Sequence, residues 1–128
     1  MKAFKSCKKF LNSRRLASLL FMGIATACSF EKGEFQITDV SKKHFFTDSA
    51  SFHPCCCVAT TVTGTLDAPG LIVIHGYLIG GLIDSIYLPK GNVNVKSHGD
   101  LYVYRKIAIE YFPGKAKKGN LKIKTSIY

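Results

Sequence analysis

The sequence predicts a mainly β fold in which residues 35–128 form a small antiparallel sheet or a β-sandwich. Three observations support this prediction. Short runs of β-branched and aromatic residues alternate with polar residues, clusters of turn-forming residues separate these runs, and glycines interrupt the most apolar segment. Alternation with a period of two places one side of a strand in a core and the other in solvent. A domain of this length can bury one modest core.

Two strands and a turn are predicted in the first half of this domain. Residues 35–40 (FQITDV) alternate weakly between apolar and polar side chains, and residues 57–66 (CVATTVTGTL) are rich in β-branched residues. Residues 67–70 (DAPG) follow as a turn, because Pro fixes one backbone angle and Gly tolerates conformations that other residues avoid.

Residues 71–88 (LIVIHGYLIGGLIDSIYL) form the most apolar segment of the predicted domain. Gly, His and Asp interrupt it, so it lacks the continuous apolar length that a membrane-spanning helix requires. Gly80 and Gly81 would each cost a helix about 1 kcal/mol relative to Ala. We therefore predict two core strands joined at these glycines, with a short helix as the alternative.

The last third has the clearest alternation and predicts a three-stranded meander. Apolar residues share one parity in residues 93–95, 101–111 and 121–127, and turn formers fill residues 97–100 (SHGD) and 113–120 (PGKAKKGN). Lysines alternate with the apolar residues of the final strand. We expect this strand to be an exposed sheet edge, which its lysines protect from pairing with other chains.

The N-terminal segment has the three parts of an export signal. Residues 1–15 hold six basic and no acidic residues, residues 16–27 (LASLLFMGIATA) are mostly apolar, and small residues precede Cys28. The apolar stretch is shorter than the roughly 20 residues that span a bilayer. We predict a signal peptide over residues 1–27.

The sequence Ala25-Thr26-Ala27-Cys28 resembles the lipobox of bacterial lipoproteins, although Ala25 replaces the usual large aliphatic residue. The resemblance implies that Cys28 carries diacylglycerol and palmitate, that residues 28–34 form a lipidated tether, and that Ser29 directs sorting to the outer membrane. Ala25 and Ala27 also suit ordinary signal peptidase, which leaves a secreted or periplasmic protein as the alternative.

A second, local resemblance covers residues 82–89 (LIDSIYLP), which are similar to an element of the YceK-like family of small lipoproteins. That family has no established activity. The resemblance therefore implies a small lipoprotein and no particular chemistry.

Three consecutive cysteines, Cys55, Cys56 and Cys57, lead into the predicted strand at 57–66, which begins at Cys57. Consecutive residues of an extended chain point to alternate faces, whereas zinc ligands are usually spaced two to four residues apart, so no standard metal site is predicted. A mononuclear site of one or two of these thiolates with a His is the alternative. Outside the cytoplasm these thiols are candidates for a disulfide, including one that links two chains into a dimer. The alternative is that they are partly buried apolar residues.

No catalytic residues and no cofactor are predicted. Ser97, His98 and Asp100 lie too close together within the predicted turn for a catalytic triad, and the eight acidic residues are scattered singly. We therefore expect a protein that is not an enzyme.

The net charge of +10 is concentrated at the two ends of the chain. Removal of residues 1–27 leaves 12 basic and eight acidic residues, and export removes the protein from nucleic acid. A cationic patch for anionic lipid or lipopolysaccharide is predicted at Lys115, Lys117, Lys118, Lys122 and Lys124. The predicted role is a membrane-anchored structural or binding accessory of the envelope, which contacts an unidentified envelope protein. The alternatives are a secreted disulfide-linked dimer and a surface lipoprotein that blocks a receptor or conjugation partner.

Overall fold

The computed structural model describes residues 31–50, 57–78, 80–101 and 106–128, and these residues form eight strands. The predicted signal peptide, Cys28, Cys55 and Cys56 lie outside the described residues. In chain order the strands are β1 (Glu31–Ile37), β2 (His44–Ser49), β3 (Cys57–Leu66), β4 (Gly70–Gly76), β5 (Leu82–Leu88), β6 (Gly91–Asp100), β7 (Lys106–Phe112) and β8 (Gly119–Ile127).

The strands form two antiparallel sheets of four strands each. Sheet I has the order β1-β8-β3-β6, and sheet II has the order β2-β7-β4-β5. The sheets pack face to face, so the sandwich alternative of the predicted fold class is the correct one. The described residues contain no helix, including those of the segment 71–88, and hence none that could cross a bilayer.

The core consists of the inward-facing residues of both sheets. On β7, Ile107, Ile109 and Tyr111 are fully buried, as their shared parity predicts. The Tyr111 hydroxyl donates a hydrogen bond to the carbonyl of Val40 at 3.0 Å, which satisfies its polar atom inside the core. Burial raises the pKa of this tyrosine.

A line of polar side chains crosses this apolar core. On sheet I, Thr125 of β8, Thr60 of β3 and Ser97 of β6 lie side by side in register. Sheet II supplies a carboxylate at each end of the line, since Thr125 donates a hydrogen bond to Asp48 and Ser97 donates one to Asp84. These bonds fix how the two sheets are aligned.

The alignment gives the sandwich two distinct ends. We call the first the Glu31 end, because β1 begins there; β8 finishes beside it, and the turn between β4 and β5 lies at the same end. The opposite end carries the loop from β7 to β8 and is called the Lys117 end. There the Lys117 amide donates a hydrogen bond to Asp67 at 2.8 Å.

The tight connection predicted within residues 71–88 is confirmed. β4 pairs with β5, and the Gly80 amide donates a hydrogen bond to the Gly76 carbonyl at 3.1 Å. Gly80 has φ 68°, a conformation that favours glycine. The strand predicted at 57–66 also matches β3, whereas β1 begins at Glu31, within the segment expected to be a tether.

The predicted meander is wrong. β6 and β8 belong to sheet I, where each pairs with β3, whereas β7 lies in sheet II between β2 and β4. The predicted edge is also wrong, because β8 lies between β1 and β3. The alternation in a strand identifies its buried side but does not identify its partner. Strands that are neighbours in sequence therefore need not belong to the same sheet.

The turn predicted at residues 97–100 is wrong as well, because these residues continue β6 to Asp100. Gly99 passes so close to Ile83 of β5 that a Cβ atom would overlap that side chain. A glycine that indicates a turn in the sequence thus permits close packing between the two sheets.

Candidate functional site

The outer face of sheet I is polar. Thr61, Thr63 and Thr65 of the central strand β3 lie between Lys122 and Lys124 on β8 and Asn92, Asn94 and Lys96 on β6. These side chains alternate along the strands with the inward-facing core residues. The face therefore has many hydrogen-bonding groups and little exposed apolar surface.

The five lysines of the predicted cationic patch have different surroundings. Lys122 forms an ion pair with Glu34 at 2.7 Å, and the same contact lowers the pKa of Glu34. Lys124 is exposed two residues farther along β8. Lys115, Lys117 and Lys118 are exposed on the loop at the Lys117 end. The loop is held by Asp67, whose pKa is lowered chiefly by hydrogen bonds from the Lys118 and Lys117 backbone.

The outer face of sheet II is apolar and aromatic. We call it the aromatic face and define it by Phe45, Leu71, Val73, Tyr87 and Phe112. The Phe45 side chain is 53% exposed and that of Tyr87 is 77% exposed. The other three are half-buried, and Leu71 lies between Phe112 and Tyr87 in the strand register. Exposed aromatic and apolar side chains that share one face make it a candidate contact surface.

A charged cluster lies within the aromatic face. Glu110 of β7 is 2.8 Å from the Lys43 ammonium and 3.0 Å from Nε2 of His75. The hydrogen bond from Lys43, followed by that from His75, lowers the pKa of Glu110. The Lys43 ammonium also lies 4.5 Å from the centroid of the Phe112 ring. His75 is therefore hydrogen-bonded through its side chain.

Exposed apolar side chains continue onto the Glu31 end. Leu78, in the turn between β4 and β5, is 87% exposed, and Leu82 at the start of β5 is 68% exposed. The ring of Tyr77 is covered by the Lys106 ammonium at 3.9 Å from its centroid. This end therefore combines aliphatic, aromatic and cationic groups.

A group of potential metal ligands lies at the same end, on sheet I. Cys57 begins β3 and is paired directly with Asp100 of β6, while His98 lies two residues before Asp100 on the same face. One ligand atom from each of the three residues lies within 4.8 Å of the other two. The Tyr128 hydroxyl lies 3.1 Å from Nδ1 of His98. Only the strand register reveals this group, since Cys57 is far from His98 in sequence.

Comparison with known proteins finds no matching family model and no matching curated protein. Solved structures with a similar arrangement of strands include a pilus protein of Bacillus endospore appendages, at 13% identity and TM-score 0.47 over 78% of this chain and 86% of that one. They also include the carbohydrate-binding module CBM4, at 8% identity and TM-score 0.47 over 76% and 71%. At these values the similarity does not indicate a ligand or an activity for this chain.

Proposed function

We propose that this chain is an exported lipoprotein, lipidated at Cys28 after removal of residues 1–27. Its β-sandwich would be held at the outer membrane as a non-catalytic binding or structural accessory of the envelope. The lipobox-like sequence supports lipidation at Cys28. The exposed apolar side chains at the Glu31 end support an orientation in which that end faces the membrane. The observation that carries the proposal is that the exposed Leu78 and Leu82 lie at the same end of the sandwich as Glu31, which is three residues from Cys28 in the sequence.

The attachment point restricts how the domain can be placed on a bilayer. Ser29 and Phe30 separate Cys28 from Glu31, the first residue of β1. At up to about 3.6 Å per residue, the three steps from Cys28 to Glu31 can span at most about 11 Å. With so short a connection, the Glu31 end faces the membrane.

The side chains at this end suit the bilayer interface. Leu78 and Leu82 are the most exposed leucines at the Glu31 end, and insertion of a Leu side chain into an apolar phase contributes about 2 kcal/mol. Tyr77 with Lys106 supplies the amphipathic aromatic ring and cation that favour the headgroup region. These contacts would add to the anchoring by the acyl chains.

The opposite end would then point away from the anchoring bilayer. A nine-residue strand such as β8 is about 30 Å long, which exceeds the Debye length at physiological salt. Lys115, Lys117 and Lys118 would therefore lie beyond reach of the phosphates of the anchoring membrane and would be available to an anionic partner on the far side, such as an acidic envelope protein. The aromatic face between the two ends would remain available to a protein partner.

The first test is incorporation of labelled palmitate in a Gram-negative host. We expect label in the unmodified protein, loss of label in Cys28→Ala, and retained label in the control Cys7→Ala. Cleavage without label would contradict lipidation and favour the secreted alternative. An intact Met1 in cytosolic protein would contradict export.

The orientation is tested with single tryptophan reporters, because the chain contains no Trp. Leu78→Trp places the reporter at the Glu31 end, and Tyr87→Trp places it on the same sheet near the Lys117 end. In vesicles carrying the lipidated protein, brominated phospholipid should quench the first reporter severalfold more than the second. Equal quenching of the two would contradict the orientation without affecting the palmitate result.

A further inference from the structure

The ligand group at the Glu31 end has the donor types of a zinc site. Zinc in proteins is bound by thiolate, imidazole and carboxylate groups, and Cys57, His98 and Asp100 provide one of each. The three residues lie on two paired strands and not on a loop. Their backbone positions are therefore fixed by the hydrogen bonds of sheet I.

The spacing of the donor atoms is close to that of a tetrahedral site. Zinc bonds of about 2.0–2.3 Å place donor atoms about 3.3–3.8 Å apart. The three potential donors already lie within 4.8 Å of one another. Closing the remaining gap requires side-chain rotation, for which the exposed positions of His98 and Asp100 leave room.

Tyr128 gives the site a second layer of support. Its amide donates a hydrogen bond to the Cys57 carbonyl at 3.0 Å, and its carbonyl accepts one from the Cys57 amide at 2.8 Å. Its hydroxyl lies 3.1 Å from Nδ1 of His98. A tautomer that shares the Nδ1 proton with this hydroxyl presents Nε2 to a metal, the arrangement by which outer groups orient histidine ligands.

We propose that Cys57, His98 and Asp100 bind one Zn²⁺ ion at the Glu31 end of the sandwich, with Tyr128 as a positioning residue. Because zinc is usually four-coordinate, three protein ligands leave its fourth coordination position for water or for a ligand atom of a partner molecule. Hard cations such as Ca²⁺ prefer all-oxygen sites with more ligands, so they are poor occupants. The sequence alone left a site of thiolate and histidine ligands as an alternative, but it identified neither Asp100 nor the pairing of β3 with β6 that brings the three residues together.

The test uses Co²⁺, which replaces Zn²⁺ and reports thiolate coordination through a charge-transfer absorption. The full chain is purified in detergent and reductant with Cys7, Cys28, Cys55 and Cys56 replaced by Ser, which leaves Cys57 as its single cysteine. We expect one equivalent of Co²⁺ to produce the band and one equivalent of Zn²⁺ to remove it. Excess Ca²⁺ should leave the band unchanged.

Variants assign the ligands. Cys57→Ser should abolish the charge-transfer band, and His98→Ala and Asp100→Asn should each weaken Zn²⁺ binding at least 10-fold. Tyr128→Phe should weaken it about 10-fold, the lower range for an outer-layer contact. His75→Gln, which alters a histidine on the other sheet, is the control and should bind Zn²⁺ as the parent does.

Circular dichroism of each variant separates loss of a ligand from loss of the fold. The proposal is overturned if the folded parent gives no band, if Ca²⁺ displaces Co²⁺, or if folded His98→Ala binds Zn²⁺ unchanged. If His98→Ala does not fold, Asp100→Asn and Tyr128→Phe serve as the test in its place. Unchanged Zn²⁺ affinity in both of these variants also overturns the proposal.

Discussion

At the scale of single residues, Thr60 has an unusual environment. It is 2% exposed at the centre of the polar line across the core, between Thr125 and Ser97. Both neighbours donate hydrogen bonds to carboxylates of sheet II. Among the described residues, Oγ1 of Thr60 has no hydrogen-bond partner. A buried hydroxyl without a partner costs about 1–3 kcal/mol.

Thr60→Val should therefore stabilise the protein, because valine has nearly the same shape and no polar atom to desolvate. We expect the free energy of unfolding to rise by about 1 kcal/mol in urea denaturation. Thr125→Val is the matched control on the adjacent strand, and it should destabilise by about 1–3 kcal/mol because Asp48 loses its donor. A loss of stability in Thr60→Val would show that the Thr60 hydroxyl has a hydrogen-bond partner in solution.

At the scale of secondary-structure elements, the close pairing of β3 with β8 depends on two glycines. Gly64 and Gly119 both have φ 141°, and a Cβ atom on either would overlap a carbonyl oxygen of the opposite strand. Those oxygens belong to Asn120 and Thr65 respectively. Both strands are central in sheet I, so neither can move outward without separating from a second partner.

Gly64→Ala should consequently destabilise the fold by about 2–3 kcal/mol, the combined effect of overpacking and an unfavourable backbone angle. Thr63→Ala, one residue earlier on the outer face of the same strand, should change stability by less than about 1 kcal/mol. Urea denaturation of both variants makes the comparison. Similar losses in the two would mean that the strands separate readily at this position.

Strands are predicted correctly from sequence where their pattern is local, and this includes β8, although its partners differ from those predicted. β3 and the two strands within residues 71–88 carry their own β-branched residues and turn signals. β2 was not predicted, because Phe45 on the aromatic face and Phe46 towards the core are adjacent and obscure the alternation. The ligand group of Cys57, His98 and Asp100 could not be predicted, since it depends on which residues of β3 and β6 are paired.

At the scale of the whole molecule, the carboxylates determine the response to acid. The Ser41 hydroxyl, followed by Lys42, lowers the pKa of Asp39 to about 2. Lys43 lowers the pKa of Glu110, and Lys122 lowers that of Glu34. Because each folded-state pKa lies below the unfolded value, the stabilisation is complete above about pH 4.5 and is lost as the pH falls through the folded values.

The melting temperature should therefore be nearly constant from pH 7 to about pH 5 and should decrease progressively towards pH 2. Glu110→Gln should melt at a lower temperature than the parent at pH 7, and the difference should narrow on acidification as Glu110 of the parent becomes protonated. Thermal unfolding followed by circular dichroism measures both curves. A difference in melting temperature that widened at low pH would contradict the lowered pKa of Glu110.

The strand order β1-β8-β3-β6 also has a consequence for the timing of folding during synthesis. Of the eight described strands β1 leaves the ribosome first, yet its partner β8 is the last of them to be made. Until residues 119–127 emerge, sheet I has a gap between β1 and β3 that no other strand fills. A nascent chain with this order cannot complete sheet I before residues 119–127 have been made, so it would remain open for the threading through a translocation channel that the proposed export requires.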